Sequence, residues 1–117
     1  LITIQDLKGY TYGNLKSFSI YFKNGNDYVL YDEHYHYIDL DQHSDKTIYI
    51  TSNTDIQWQT DSGLQQNLEV DGRVGSGVIP AGNKVAVNLF NDEYGPAEGY
   101  LEFSNGIDTQ KIFVRVR

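Results

Sequence analysis

Apolar residues recur at every second position through much of this chain, with polar residues in between. A period of two belongs to extended strands, whose successive side chains point to opposite faces. Ser17 to Phe22 shows it cleanly, with Phe18, Ile20 and Phe22 on one face, and Asn24-Gly25 leads through a turn into Asp27 to Tyr31, the clearest hairpin signal in the chain. Tyr35 to Leu40 continues the β pattern and runs into a polar turn, Asp41 to Asp45. Thr47 to Thr51 then turns Ile48 and Ile50 inward, and after the Ser52-Asn53-Thr54-Asp55 turn Ile56 and Trp58 face the same core.

Further along, Asn67 to Val70 reads as a short strand and Gly72, Gly75, Gly77, Pro80 and Gly82 as a broken, glycine-rich loop. Three more strands follow: Lys84 to Asn91 with Val85, Val87 and Leu89 inward, Tyr100 to Ser104 with Leu101 and Phe103 inward, and Gln110 to Arg117 with Ile112, Val114 and Val116 inward. Helical periodicity of 3.6 residues is nowhere sustained. Short strands with turn signals at intervals of about 8–12 residues predict an all-β, immunoglobulin-like antiparallel sandwich. The chain of 117 residues fits one such domain. Leu1 to Gln5 is a short strand candidate, and the tyrosine-rich residues 1–35 differ enough in texture to read as an appended hairpin or linker before a core at 38–117.

Composition narrows the partners. Nine basic against sixteen acidic residues give a net charge of −7, which repels nucleic acid phosphates and anionic membranes. No apolar run approaches the roughly 20 residues of a membrane span. There is no cysteine, hence no disulfide, thiolate ligand or thiol nucleophile, and compartment is not readable from redox chemistry. The absence of methionine reads as a processed or excised module. Aromatics reach 14%, ten of them tyrosine, a residue suited to pleated surfaces and to wet binding faces alike.

From about Ile38 onward the order of features resembles the BACON family of Bacteroidetes-associated β-sandwich modules. The features are a strand leading to Ser52-Asn53 and then Trp58, a Val85-x-Val87 strand, an Asn91-led turn into Gly99-x-Leu101, and a closing Val114-x-Val116. The resemblance implies an immunoglobulin-like module of a secreted, surface-attached or gut-phage virion protein, one that binds carbohydrate or separates functional domains.

Candidate chemistry is sparse. On a strand, His34 and His36 would point to one side and offer two nitrogens to a metal, with Asp32 nearby, but the pair lacks further ligands and reads more readily as a solvated face. Asp39, Asp41, His43 and Asp45 alternate like the start of a calcium loop. Ser44 stands where the sharp turn needs glycine, and Ile50 where a bidentate carboxylate is needed. The glycines at 72, 75 and 77 lack the order and the following helix of a phosphate loop. Asp92, Glu93 and Glu98 cluster at a turn, without the fixed separation across a cleft that glycoside hydrolysis needs.

Tyrosine is the one supply with a binding use, since sugar rings stack on flat side chains while amides and carboxylates take hydroxyls. Tyr94 beside Asn91 and Asp92, and more distantly Tyr10 with Tyr12, are the candidate ligand-binding residues; the alternative for each tyrosine is packing at a sheet edge. The expectation is therefore a non-catalytic spacer or interaction module needing no cofactor, with neighbouring domains or protein partners and an extracellular, cell-surface or virion location. The alternative is a carbohydrate-binding module attached to a polysaccharide-degrading system.

Overall fold

The computed structural model describes residues 16–117. The expected strand Leu1 to Gln5 and the candidates Tyr10 and Tyr12 lie outside the described residues. Ten strands follow in order: β1 (Phe18–Asn24), β2 (Asp27–Leu30), β3 (Ile38–Leu40), β4 (Asp45–Ser52), β5 (Ile56–Thr60), β6 (Leu68–Val70), β7 (Ser76–Ile79), β8 (Gly82–Asn91), β9 (Ala97–Ser104) and β10 (Thr109–Val116). A 3-10 turn, Gln65–Asn67, precedes β6.

The alternation along each strand decides its inner face. Phe18, Ile20 and Phe22 of β1, Ile48 and Ile50 of β4, Ile56 and Trp58 of β5, Val87 and Leu89 of β8, Leu101 and Phe103 of β9, and Ile112, Val114 and Val116 of β10 are all buried in one core. That core lies between two five-stranded sheets, ordered β2-β1-β4-β8-β6 and β3-β10-β9-β5-β7. All ladders are antiparallel except β3–β10, which is parallel. The first strand thus pairs in one sheet and β3 crosses to the other to lie beside the last strand, the arrangement of an immunoglobulin-like sandwich.

The predicted hairpin forms β1–β2. Its two-residue loop places Gly25 at φ 64°, a left-handed conformation that glycine adopts without steric cost. Since β1 pairs with β4 and buries three side chains in the common core, this part of the 1–35 segment is a strand of the sandwich, and β2 is its outer edge.

Two stretches differ from expectation. Tyr35 to Leu40 is strand only at Ile38–Leu40, because the amides of Tyr35 and His36 both turn back to the Asp32 carbonyl, at 3.0 and 2.8 Å. The glycine-rich loop contains β7, whose Gly77 pairs with Trp58; glycine serves there because the indole fills the place of a side chain.

The two ends of the described chain lie at opposite poles. The Ser17 amide donates to Asp108 Oδ2 beside the β9–β10 turn. Arg117, past the far end of β10, donates its amide to the Leu40 carbonyl and clamps Asp39 with two guanidinium bonds of 2.9 and 2.7 Å.

Candidate functional site

The end of β8 and the loop from it to β9 carry the candidates Asn91, Asp92 and Tyr94. Asn91 is fully buried. Its amide nitrogen donates to the carbonyls of Leu40, Asp41 and Arg117 at 3.0–3.1 Å, and its oxygen accepts from the Glu93 amide at 2.9 Å. The expected ligand contact from Asn91 gives way to a structural one, since buried polar groups must be paired inside and this amide is already spent. Asp92 is half-buried and lies against Glu69, whose carboxyl is pushed up first by burial and then by the charge of Asp92 and a hydrogen bond to it. Tyr94 is 67% exposed, so the ring is presented to solvent without the Asn91 amide beside it.

His34 and His36 do not share a strand face. His36 Nδ1 accepts from the Asp32 amide at 2.8 Å, and its ring packs against Phe22 and Tyr31. His34 is exposed on the preceding turn, its amide donating to Asp32 Oδ1. The alternating residues do not converge on one point either: Asp39 and Asp41 both face Arg117, Asp45 accepts from the Asn88 amide, and His43 lies 2.7 Å from Glu93. Among the described residues no three His, Asp or Glu side chains are grouped to hold a metal ion.

A concave site opens where the sheets part, between the β1–β2 side of the first and β9–β10 of the second. This cleft of about 510 Å³ is lined by Tyr31, Tyr100, Glu33, Lys16, Gln110 and Lys111, among others. The Tyr31 hydroxyl donates to the Lys111 carbonyl, and burial, with the Glu33 charge second, pushes that hydroxyl up to about 12. It is therefore a neutral phenol at any physiological pH. Tyr100 is 47% exposed, and its ring is held edge-on by Phe113 at 5.6 Å. One presented ring with a phenol, a carboxylate, an amide and ammonium groups around it matches what a polyhydroxylated ring requires. Sequence reasoning missed this cleft because it joins residues as distant as Tyr31 and Lys111, and only the strand register brings them together.

A second surface covers the outer face of the first sheet. Tyr21 on β1, Tyr28 on β2 and Tyr49 on β4 come together through register, with Tyr28 edge-on to Tyr21 at 6.4 Å and to Tyr49 at 5.1 Å. Two lysines lie over these rings, Lys23 and Lys84, with nitrogens 5.1–6.0 Å from the ring centroids. Two of the rings stood at outward positions of predicted strands, Tyr21 between Ile20 and Phe22 and Tyr49 between Ile48 and Ile50, whereas Lys23 follows the predicted strand Ser17 to Phe22 and only register brings the group together. No protein-family model matches the sequence, and no curated protein matches it.

Proposed function

We propose that the chain is a non-catalytic immunoglobulin-like spacer or interaction module of a larger secreted, cell-surface or phage virion protein, of the BACON kind that residues 38–117 resemble. The observation supporting this is the polarity of the sandwich. Ser17 sits at the β9–β10 turn and Arg117 at the other end of β10, an eight-residue strand that spans about 25 Å. Over the described residues the chain thus runs from one pole of the sandwich to the other, a geometry that suits a spacer. The decisive experiment replaces the module, within the protein that carries it, by an unrelated sandwich of equal pole-to-pole length. Function retained on replacement and lost on deletion supports the spacer; loss on replacement as well sinks it.

The cleft favours a second reading, a carbohydrate-binding module. Tyr100 would be the stacking ring, with Tyr31, Glu33 and Gln110 as hydroxyl partners. Calorimetry against neutral plant and mucin polysaccharides checks it: binding tighter than about 1 mM that disappears in Tyr100→Ala, with the fold intact, supports this reading.

A further inference from the structure

The outer face of the first sheet holds an arrangement that neither reading above uses. Three of the chain's cations are committed to acids: Lys111 to Glu102, Arg115 to Glu98, and Arg117 to Asp39. Lys23 and Lys84, like Lys46 and Arg73, form no ion pair among the described residues, and what sets the two apart is that they share one cluster of rings. Both instead lie 5.3 Å from the centroid of the Tyr28 ring, Lys23 also near Tyr49 and Lys84 near Tyr21. An ammonium group beside a ring keeps most of its hydration and its donors, so it stays available to an incoming anion.

The backbone contributes to this placement. Between the pairs Ile50–Val85 and Ser52–Gly82 the β4–β8 register shifts, so that Thr51 opposes both Asn83 and Lys84. Lys84 sits in this bulge at φ 50°, a left-handed conformation that a lysine adopts only where its surroundings impose it. Thr51 imposes it by accepting the Lys84 amide at 2.9 Å while donating to Asn83 Oδ1 at 3.1 Å. Bulges re-aim side chains, and this one carries Lys84 toward the tyrosines.

We propose that this face binds a carboxylate-bearing polysaccharide, with Lys23 and Lys84 receiving its acid groups and the half-exposed Tyr28 lying against a sugar ring between them. Charge complementarity selects the class. On a chain of net charge −7, two cations on one face that have no acid partner among the described residues make a local site for an anion, and a charged hydrogen bond to a carboxylate is about twice as strong as a neutral one. The three rings select sugar over a purely acidic peptide, because their apolar surfaces suit C–H faces that a row of carboxylates does not possess. Tyr28 on β2, Tyr21 on β1, Tyr49 on β4 and Lys84 on β8 stand on four successive strands, so a polymer can lie across them from β2 to β8. This inference is independent of the cleft.

The test titrates the whole chain with polygalacturonate, with the same polymer after methyl esterification, and with polyglutamate, by calorimetry at low and moderate salt. Polygalacturonate binds, the ester does not, and binding weakens as salt rises. Lys23→Gln and Lys84→Asn each weaken it roughly tenfold, the worth of one charged hydrogen bond; asparagine suits the left-handed position at 84. Tyr28→Ala weakens binding while Tyr100→Ala leaves it intact, so failure here and failure at the cleft are read separately. Equal binding of the ester, polyglutamate binding as tightly, lysine variants indistinguishable from wild type, or a concentration-dependent self-association lost in the lysine variants would each overturn the assignment.

Discussion

The indole of Trp58 occupies the space that a side chain at Gly77 would need. The two residues are partners across β5 and β7, and a Cβ built at 77 would sit 2.7 Å from Nε1 and 2.8 Å from Cε2. Trp58 is only 3% exposed and packs in the common core. Gly77→Ala is therefore an overpacking change expected to cost about 1–3 kcal/mol, and Trp58→Ala a cavity change expected to cost about 3–5 kcal/mol. Denaturant unfolding measures both, and an alanine at 77 with an unchanged midpoint would refute the contact.

Asn91 is expected to matter for stability and not for binding. Its buried amide ties β8 to the carbonyls of Leu40, Asp41 and Arg117, and thereby joins the first sheet to the β3–β10 end of the second. On removal the Leu40 carbonyl keeps the Arg117 amide and the Asp41 carbonyl keeps the Ser44 amide, so what is lost is the tie between the elements, and Asn91→Ala should destabilise by roughly 1–3 kcal/mol. Asn91→Asp should do much the same, because a carboxylate cannot donate to three carbonyls. Binding affinities of the folded fraction, measured by calorimetry, should not move.

Glu69 and Asp92 make a pH-dependent pair at the other side of that loop. Burial first, then the Asp92 carboxylate, raises the Glu69 carboxyl above its ordinary 4.5. Below that ordinary value Glu69 is protonated in folded and unfolded chains and carries no penalty. As pH rises through the raised value the unfolded chain ionises more readily, and stability is lost. Glu69→Gln should raise the melting temperature at about pH 7 and leave it unchanged at about pH 3. An equal shift at both would show that the carboxylate is not the cause.

How far residues could be read without coordinates follows from how local their determinants are. The inward set, from Phe18 to Val116, was legible because alternation is a property of neighbouring positions and the core takes whatever faces it. Trp58 was legible for the same reason. The strand β7 was not, since Gly75 and Gly77 weaken any local β signal and the need for glycine comes from an indole on another strand. The histidine pair failed as a shared face because a turn anchored on Asp32 interrupts the expected strand, which spacing alone does not reveal. Asn91 was legible as a turn residue and not as a buried one, its three acceptors lying 26 to 51 residues away. The cleft and the tyrosine–lysine face depend on register across strands, and no window along the chain contains it.

Tyr31 supplies the last expectation, on the alkaline side. Its hydroxyl, buried and donating to the Lys111 carbonyl, ties the end of β2 to β10 and closes the floor of the cleft. Near neutral pH, Tyr31→Phe loses that bond at a cost of about 1 kcal/mol. Burial, with Glu33 second, moves the phenol from an ordinary 10.0 to about 12. The raised value fixes the sign: the stabilisation is fully present below about pH 10, where both states keep the proton, and is lost as pH rises toward about 12, where only the unfolded chain gives it up freely. Melting temperatures of wild type and Tyr31→Phe should accordingly converge between those limits, the wild type losing its advantage because phenylalanine has no proton to lose. Parallel curves through that range would mean that the hydroxyl of Tyr31 is not held as described.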